Sequence, residues 1–380
     1  MAQERDRWSW IEFVSDYLVE PLPVFDHPGA PFHMASLQPS GALQTMVDAG
    51  AFRSAARELG AWAPAMAPGG DVAIDVAIVH VSEPGPDGRF SLGVSAATPL
   101  NAMASADLVI AQVNPRMPYT FGAAEIARDE IDLFVETEHE LVEFPVAEPD
   151  DATRTIGALV AAEIPDGAIL QLGLGALPEV VCAELSNHRD LGVHSGMISD
   201  GVMQLCLSGA FSGATHPDHP GKIVNGLIGG TRRLFDFVDR NPDVVTVPTA
   251  ESHGMEALVR LPDFMAVNSS IEVALDGSIN SERVGSRIVS GPGGAPDYAR
   301  AASAAHGGRF FVALPATAAR GTASRIVRHL QAPATVDGTL IDTVVTEFGV
   351  AIVRDLDPPA RAEALRAIAH PDFRAALDTA

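Results

Sequence analysis

Cysteine is nearly absent. Cys182 and Cys206 are too few for a disulfide framework or a cysteine-built zinc site, and they fit a reducing, cytoplasmic setting. Lysine is scarcer still: Lys222 is the only one, so all other basic side chains are arginines and Schiff-base chemistry has a single candidate. Positive charge as a whole is outweighed, with 25 basic against 49 acidic residues and a net charge of −24. Such a balance repels a phosphate backbone and argues against nucleic acid as a partner. No uncharged apolar run reaches the roughly 18 residues that a membrane span needs, and Met1–Arg7 is charged where an export signal would be apolar. The sequence thus predicts a soluble, unexported chain with no membrane partner.

What is present argues for a compact fold. Hydrophobic residues make up 47% of the 380 and charged ones 19%, and the mean hydropathy is slightly positive. At roughly 150 residues per domain this length predicts two or three domains. The 34 glycines and 28 prolines follow no fixed period, which excludes a collagen-like repeat and predicts many tight turns.

Residues 1 to about 70 read as an irregular, divergent entry segment. Trp8–Leu18 has the spacing of an amphipathic helix, and Pro21–Pro39 is broken by Pro and Gly. Beyond it come apolar runs of strand length closed by turn residues: Val76–Val81, Leu108–Val113, Ile131–Val135 and Ala168–Leu174. Asp151–Ile164 between the last two is helical in spacing, with Asp151 as the expected N-cap. The second half repeats the alternation with Val244–Val247, Met265–Asn268, Arg309–Leu314 and Thr343–Thr346 as strands, Arg232–Asp239 as a helix, and a helical tail from Pro359 to Leu377. Alternating strands and helices predict α/β architecture with largely parallel sheets, in two similar open domains. The polar break Ser186–Asp190 places their boundary between 1–185 and 186–380.

Gln171-Leu-Gly-Leu-Gly-Ala-Leu-Pro178 follows a strand and opens a helix, Glu179–Leu185, so Gly173 and Gly175 bring backbone N–H groups close to an anion or a developing oxyanion. The third glycine of a dinucleotide fingerprint is missing, which argues against NAD. Gly291-Pro-Gly-Gly-Ala-Pro-Asp297 is a second such turn, with Gly293 and Gly294 at its centre. His194-Ser195-Gly196-Met197-Ile198-Ser199-Asp200 gathers His, Ser and Asp, as a hydrolase site does, but also as hydrogen-bonded turns do. His216 and His219 have metal-like spacing, yet their prolines favour a solvated loop, and no metal is expected. Glu272 and Glu347 follow or begin at strand ends, where α/β sites form, and each is an acid, a base or a solvated charge. Lys222, Arg232 and Arg233, and separately Arg320, Arg325 and Arg328, are groups that would seat a phosphorylated ligand or simply coat a helix.

Taken as an ordered set, these blocks resemble the acetyl-CoA hydrolase/transferase family, which includes acetate, butyrate and 4-hydroxybutyrate CoA-transferases. They are Val113–Gly122, Gln171–Pro178, Leu191–Gly201, Pro220–Lys222 with Gly229–Val238, Val267–Glu272, Gly291–Arg300 and Val345–Ala351. The resemblance runs from about Val76 to the C-terminus. It implies a family I CoA-transferase-like fold of two α/β domains, acyl-CoA in the cleft between them, and homo-oligomeric assembly. It also implies a glutamate that attacks the thioester, passing through an acyl-glutamyl anhydride and a glutamyl-CoA thioester, with the turns at Gly173–Gly175 and Gly293–Gly294 as oxyanion donors.

One position departs from that pattern. The residue between the His-Ser pair and Met is the family's glutamate nucleophile, and here it is Gly196. The expectation is therefore an acyl-CoA hydrolase or CoA-transferase working without the covalent glutamate. Space at Gly196 would admit water or an acceptor carboxylate, and Glu272, Glu347, His194 or Asp200 would serve as general base. Coenzyme A enters as substrate, with no permanently bound cofactor; the phosphate-seating groups are Lys222 and Arg232. Two alternatives stand beside it: a sensor that binds acyl-CoA without turning it over, and the same fold recruited to a different acyl or carbonyl hydrolysis.

Overall fold

A computed structural model describes residues 7, 9–26, 31–144, 146–285 and 287–378. The charged start at residues 1–6, and Trp8, lie outside them. The chain is mixed α/β with mostly parallel sheets. Its centre is a nine-stranded sheet ordered, from one edge, Gly349–Ile352, Thr343–Thr346, Arg309–Ala313, Phe264–Asn268, Ile169–Leu172, Gly192–Ile198, Ile223–Ile228, Val244–Thr246 and Phe121–Gly122. Every neighbouring pair is parallel except the first, a hairpin between Thr343–Thr346 and Gly349–Ile352.

Helices cover both faces, as a parallel sheet requires. On one face Asp151–Ala162, Ala176–Glu184, Asp200–Ser208 and Arg232–Val238 bury Ile156, Val160, Val181, Val202 and Leu234. On the other, Ala295–Ala304 and Pro358–Ala367 bury Tyr298, Ala301, Ala302 and Leu365. The first helix is capped by Asp150, not Asp151: its carboxylate accepts from the Thr153 N–H at 2.8 Å and the Thr153 hydroxyl at 2.6 Å. Gly157 lets that helix approach its neighbour, because a Cβ there would stand 2.4 Å from Val180 Cγ1.

The expected boundary after residue 185 falls inside this sheet. Ile169–Leu172, before it, is hydrogen-bonded to Gly192–Ile198 and Phe264–Asn268, after it. The polar break is only the connection from helix to strand: a 3-10 turn at Leu185–Asn187, and Asp190 at φ 57°. Two smaller parallel sheets precede it, Val76–Val81 with Leu108–Val113 and Leu133–Glu136, and Ile11–Tyr17 with Phe32–Gln38 and Phe52–Ser54. The amphipathic helix expected over Trp8–Leu18 is thus a strand over Ile11–Tyr17, and the broken stretch after it contains the strand Phe32–Gln38. Ile11, Phe13 and Tyr17 alternate with Glu12 and Asp16, a period of two that pairing with Phe32–Gln38 favours over the helical spacing. The tail is two helices, Pro358–Ala367 and Pro371–Leu377, parted at His370-Pro371.

Asp342, whose side chain is 3% exposed, ties the far edge of the sheet. Its carboxylate meets Arg309 Nε at 3.0 Å, pairs with Arg354 and accepts from the Thr343 hydroxyl at 2.8 Å. Asp342→Ala should lower stability by about 3 kcal/mol, the low end for breaking a buried pair, because both arginines keep partial access to water. A urea melt checks this, and an unshifted midpoint would show that the arginines are satisfied by water alone.

Candidate active site

The chain runs outward from Ile169–Leu172 through Gly192–Ile198, Ile223–Ile228 and Val244–Thr246, then returns to build Phe264–Asn268 on the opposite side. The order reverses between Ile169–Leu172 and Phe264–Asn268, and a crevice forms at the carboxyl ends of strands where that happens. Asn268 Nδ2 donates to Gln171 Oε1 at 2.7 Å across this point. Directly above it lies the turn Gly173-Leu174-Gly175, where a Cβ on either glycine would meet nothing within 4 Å. Gly175 has φ 113° and opens helix Ala176–Glu184 with no side-chain cap, so no side chain is committed to the first helical N–H groups. Gly173 and Gly175 thus form the strand-to-helix turn that the sequence predicts.

His194 is another matter. The block His194–Ile198 is not a turn but the body of the strand Gly192–Ile198. His194 is 1% exposed, with Nδ1 3.0 Å from His216 Nε2 and Nε2 3.2 Å from the Glu251 carbonyl. His216 Nδ1 accepts from the backbone N–H groups of Asp218 and His219, so its own proton is on Nε2 and points at His194. Burial pushes His194 down to about 3 and His216 to about 4, each helped by a neighbouring imidazole. With both ring nitrogens engaged inside the protein, His194 is a positioning group for the Glu251 segment and not an accessible base. His219, expected in a solvated loop, pairs with the Glu251 carboxylate.

Space at Gly196 is filled. A Cβ there would stand 2.5 Å from His253 Cε1 and Nε2 and 2.6 Å from Tyr298 Oη. The imidazole is held between the Ser252 hydroxyl, 2.9 Å from Nδ1, and Tyr298 Oη, 2.9 Å from Nε2; the phenol also reaches the Ser252 carbonyl at 3.2 Å. Burial drives His253 down to about 3 and Tyr298 well above its ordinary value, so both are neutral. On its other side His253 lies against Gly294, where a Cβ would come within 2.6 Å of Cδ2. Two glycines form the slot for one imidazole. The room for water or an acceptor expected at Gly196 does not exist, because His253 and Tyr298 occupy it.

The second glycine turn is also closed. The Gly293 N–H donates to Gln38 Oε1 at 3.2 Å and its carbonyl accepts from the Leu59 N–H at 3.0 Å, so Gly293 is not a spare oxyanion donor. Next to it the Gly60 N–H donates to Asp297 Oδ2 at 2.9 Å, and Arg300 pairs with Glu58 and Asp297. Burial raises Asp297 to about 6. The entry segment, unreadable in sequence, is what seals this turn.

Asp200 and Arg232 come together. Both line a cavity of about 450 Å³ with Glu143, Glu179, Thr231 and Arg233, at the carboxyl ends of Gly192–Ile198 and Ile223–Ile228. Asp200 accepts from the Thr231 N–H at 2.7 Å and hydroxyl at 2.6 Å, which commits it to holding that turn. Arg232 is paired with Asp236 at 2.8 Å and Glu140 at 3.3 Å. Glu179, which sequence reasoning passed over, is raised by burial and by Asp200. Lys222 does not join them. It precedes Ile223–Ile228, at the opposite end of the strand from Arg232, and donates to the Pro242 carbonyl at 2.9 Å and Asp243 at 3.3 Å.

Of the two strand-end carboxylates, Glu272 is bound into a small three-stranded sheet, accepting from Asn280 Nδ2 at 2.9 Å and the Gln331 N–H at 3.3 Å. Glu347 follows the strand Thr343–Thr346, at the carboxyl end of a strand three positions from the one that leads into Gly173–Gly175, and its Oε2 accepts from the Ala316 N–H at 2.8 Å. Arg325 lies near enough to feel its charge and donates to the Ser270 carbonyl at 3.1 Å. Among the described residues no group of three or more His, Cys, Asp or Glu is placed to hold a metal, and no helix is long and apolar enough to cross a membrane.

This arrangement, a large parallel sheet with a crevice at its reversal point and glycine turns on either side, defines an α/β fold of the CoA-transferase type. Residues 30–145 match the model of the acetyl-CoA hydrolase/transferase N-terminal domain and 230–380 that of the C-terminal domain, so the chain belongs to the acetyl-CoA hydrolase/transferase family. It is 42% identical to a 4-hydroxybutyrate coenzyme A transferase of Clostridium kluyveri over 306 residues, which are 80% of this chain and 71% of that protein. Among solved structures, RipA from Yersinia pestis superimposes with a TM-score of 0.87 at 29% identity, covering 91% of this chain and 80% of that one. A 4-hydroxybutyrate CoA-transferase from Porphyromonas gingivalis gives 0.82 at 30%, covering 99% and 87%. Relatives also include an acetyl-CoA hydrolase of Kluyveromyces lactis, 29% identical over 55% of this chain and 39% of that protein.

Proposed function

We propose that this protein processes acyl-CoA thioesters, by hydrolysis or by transfer of CoA to a carboxylate, without forming a glutamyl-CoA intermediate at position 196. The observation that carries the proposal is the pairing of a filled slot with an open one. His253 and Tyr298 occupy the place of a side chain at Gly196, while the Gly173–Gly175 turn faces open space at the sheet's reversal point. In this reading the thioester carbonyl lies against the N–H groups of that turn, which stabilise its developing oxyanion. In hydrolysis, water attacks the carbonyl carbon directly and the C–S bond breaks to give the acid and CoA, whose thiolate takes up the proton that water loses. In transfer, the acceptor carboxylate attacks and the C–S bond breaks to leave a mixed anhydride and the CoA thiolate. That thiolate then attacks the acceptor's acyl carbon and expels the donor carboxylate. For hydrolysis, Glu347 takes the proton from water as it attacks. Asp200, Glu272 and His194 support the surrounding turns and carry no proton of the reaction.

The test uses acyl-CoA with and without borohydride. Thiol release should be undiminished by prior incubation with both, because no enzyme-bound glutamyl thioester is there to be reduced; inactivation traced to a reduced glutamyl residue overturns the reading. Glu347→Gln should slow hydrolysis by about 100-fold or more with the KM little changed, the usual scale for a general base. A second reading, acyl-CoA binding without turnover, is favoured by the neutral wall of His253 and Tyr298, which holds neither a nucleophile nor an available base. Calorimetric binding of acyl-CoA with no thiol release selects it.

A further inference from the structure

Arg320, Arg325 and Arg328 follow the strand Arg309–Ala313, and the structure puts them to different uses. Arg328 donates from Nε to the Ala376 carbonyl at 3.1 Å and so fastens the helix Pro371–Leu377. Arg320 is exposed at the tip of the hairpin of Thr317–Ala318 and Ala323–Ser324. Arg325 stands where that hairpin returns to the body of the protein, and it is half-buried. Its N–H donates to the Ala316 carbonyl at 2.9 Å and its carbonyl accepts from the Val273 N–H at 2.8 Å. Ala316 also gives its own N–H to Glu347, so the Arg325 backbone and the Glu347 carboxylate are fixed to one residue.

The guanidinium borders the crevice. Nη1 donates to the Ser270 carbonyl at 3.1 Å, and Ser270 follows the strand Phe264–Asn268, the sheet neighbour of the strand that leads into Gly173–Gly175. Neighbouring strands lie about 5 Å apart, so the residue that anchors Arg325 is about one strand spacing from the strand under that turn. Its charge is not spent inside the protein. Arg309, on the preceding strand, is paired with both Glu163 and Asp342, whereas Arg325 is in no ion pair among the described residues. Its buried Nε has no hydrogen-bond partner. Burial pushes this guanidinium below its ordinary value, and the nearby Glu347 charge offsets only part of that. A half-buried cation with an idle donor is favoured by an anion, and a carboxylate matches the guanidinium fork with two parallel bonds.

We propose that Arg325 seats a carboxylate of the substrates in this crevice, next to the turn that takes the thioester carbonyl. This role rests on the acyl-CoA reading of the site and adds to it the group held beside the thioester. Two sources share the chemistry: the acceptor, whose carboxylate attacks the acyl carbon in transfer, and an acyl chain that ends in a second carboxylate.

The test separates the two. The full chain is titrated calorimetrically with glutaryl-CoA and pentanoyl-CoA, five-carbon esters that differ in a carboxylate at the far end, and conversion of pentanoyl-CoA to butyryl-CoA is followed by chromatography as butyrate is added. A carboxylate on the acyl chain makes glutaryl-CoA bind about tenfold tighter or more. A carboxylate on the acceptor leaves the two esters equal and makes the conversion saturate in butyrate. In the first case Arg325→Gln abolishes the preference, and in the second it raises the butyrate KM about tenfold or more, while pentanoyl-CoA binds as in wild type and so shows the site folded. Arg325→Lys keeps part of the effect, and Arg320→Gln, which removes the same charge from the exposed tip, keeps all of it. An Arg325→Gln chain that weakens both esters alike places the arginine on a phosphate of CoA and overturns the inference. An equal loss in Arg320→Gln overturns it too, since the effect is then long-range charge. A wild-type chain that binds pentanoyl-CoA and shows neither carboxylate effect removes this role and leaves the acyl-CoA reading standing, whereas one that binds neither ester removes both.

Discussion

Gly196→Glu destabilises the protein by about 3 kcal/mol or more and gains no CoA transfer through residue 196. The new Cβ would fall 2.5 Å from His253, and that ring has nowhere to retreat: Ser252 and Tyr298 hold its two nitrogens and Gly294 backs its other side. A carboxylate placed there must also lose part of its hydration beside an imidazole that burial keeps neutral. The measurement is a thermal or urea melt with borohydride trapping after exposure to acyl-CoA. The double variant Gly196→Glu with His253→Ala should recover part of the lost stability, a coupling that a double-mutant cycle reads directly. A single Gly196→Glu variant as stable as wild type, or one that traps a glutamyl adduct, would mean that His253 swings aside and the slot is open.

Acid should unfold this protein early and cooperatively. His80, His194, His216 and His253 all have folded-state values depressed by burial, to about 4, 3, 4 and 3. The unfolded chain binds those protons near pH 6.5 and the native chain does not, so the stability is fully present above that pH and falls as pH drops towards 4. Each imidazole costs about 1.4 kcal/mol per pH unit through the window. Asp297 acts in the opposite sense: raised to about 6, it is protonated in the native state first and favours folding as pH falls from 6 towards 4. Asp16 and Glu179, also raised by burial, act with Asp297, so four imidazoles stand against three carboxylates and proton uptake on unfolding at pH 5 should be between about one and three per molecule. His216→Asn should flatten the pH dependence by about one proton, because the amide has no charge to bury. A melting temperature unchanged between pH 7 and pH 5 would sink the idea that these imidazoles are buried neutral.

The chain beyond the entry segment was legible because its signals are local. Runs such as Val76–Val81, Leu108–Val113 and Thr343–Thr346 are continuous apolar stretches closed by turn residues, and they are strands over those same residues. Gly173 and Gly175 were legible for a related reason: a glycine pair between a strand and a helix marks an open turn whatever lies around it. The entry segment misled because Ile11–Tyr17 carries both a period of two and a weaker helical spacing, and only its partner strand at Phe32–Gln38 chooses between them. Lys222 and Arg232 look adjacent in sequence, yet a strand between them sends one to each end of the sheet.

By itself the sequence determined the α/β alternation, the family and a glycine at position 196, because each is a property of residue type and short-range order. Only the tertiary structure decided what stands against that glycine. The imidazole of His253 comes from a short helix end and the phenol of Tyr298 from a helix on the far side of the chain's return crossing, and neither signals its destination in its own neighbourhood. They meet over Gly196 because two distant glycines leave a gap of one ring's thickness, and a dense interior fills such a gap with whatever side chain the fold brings to it.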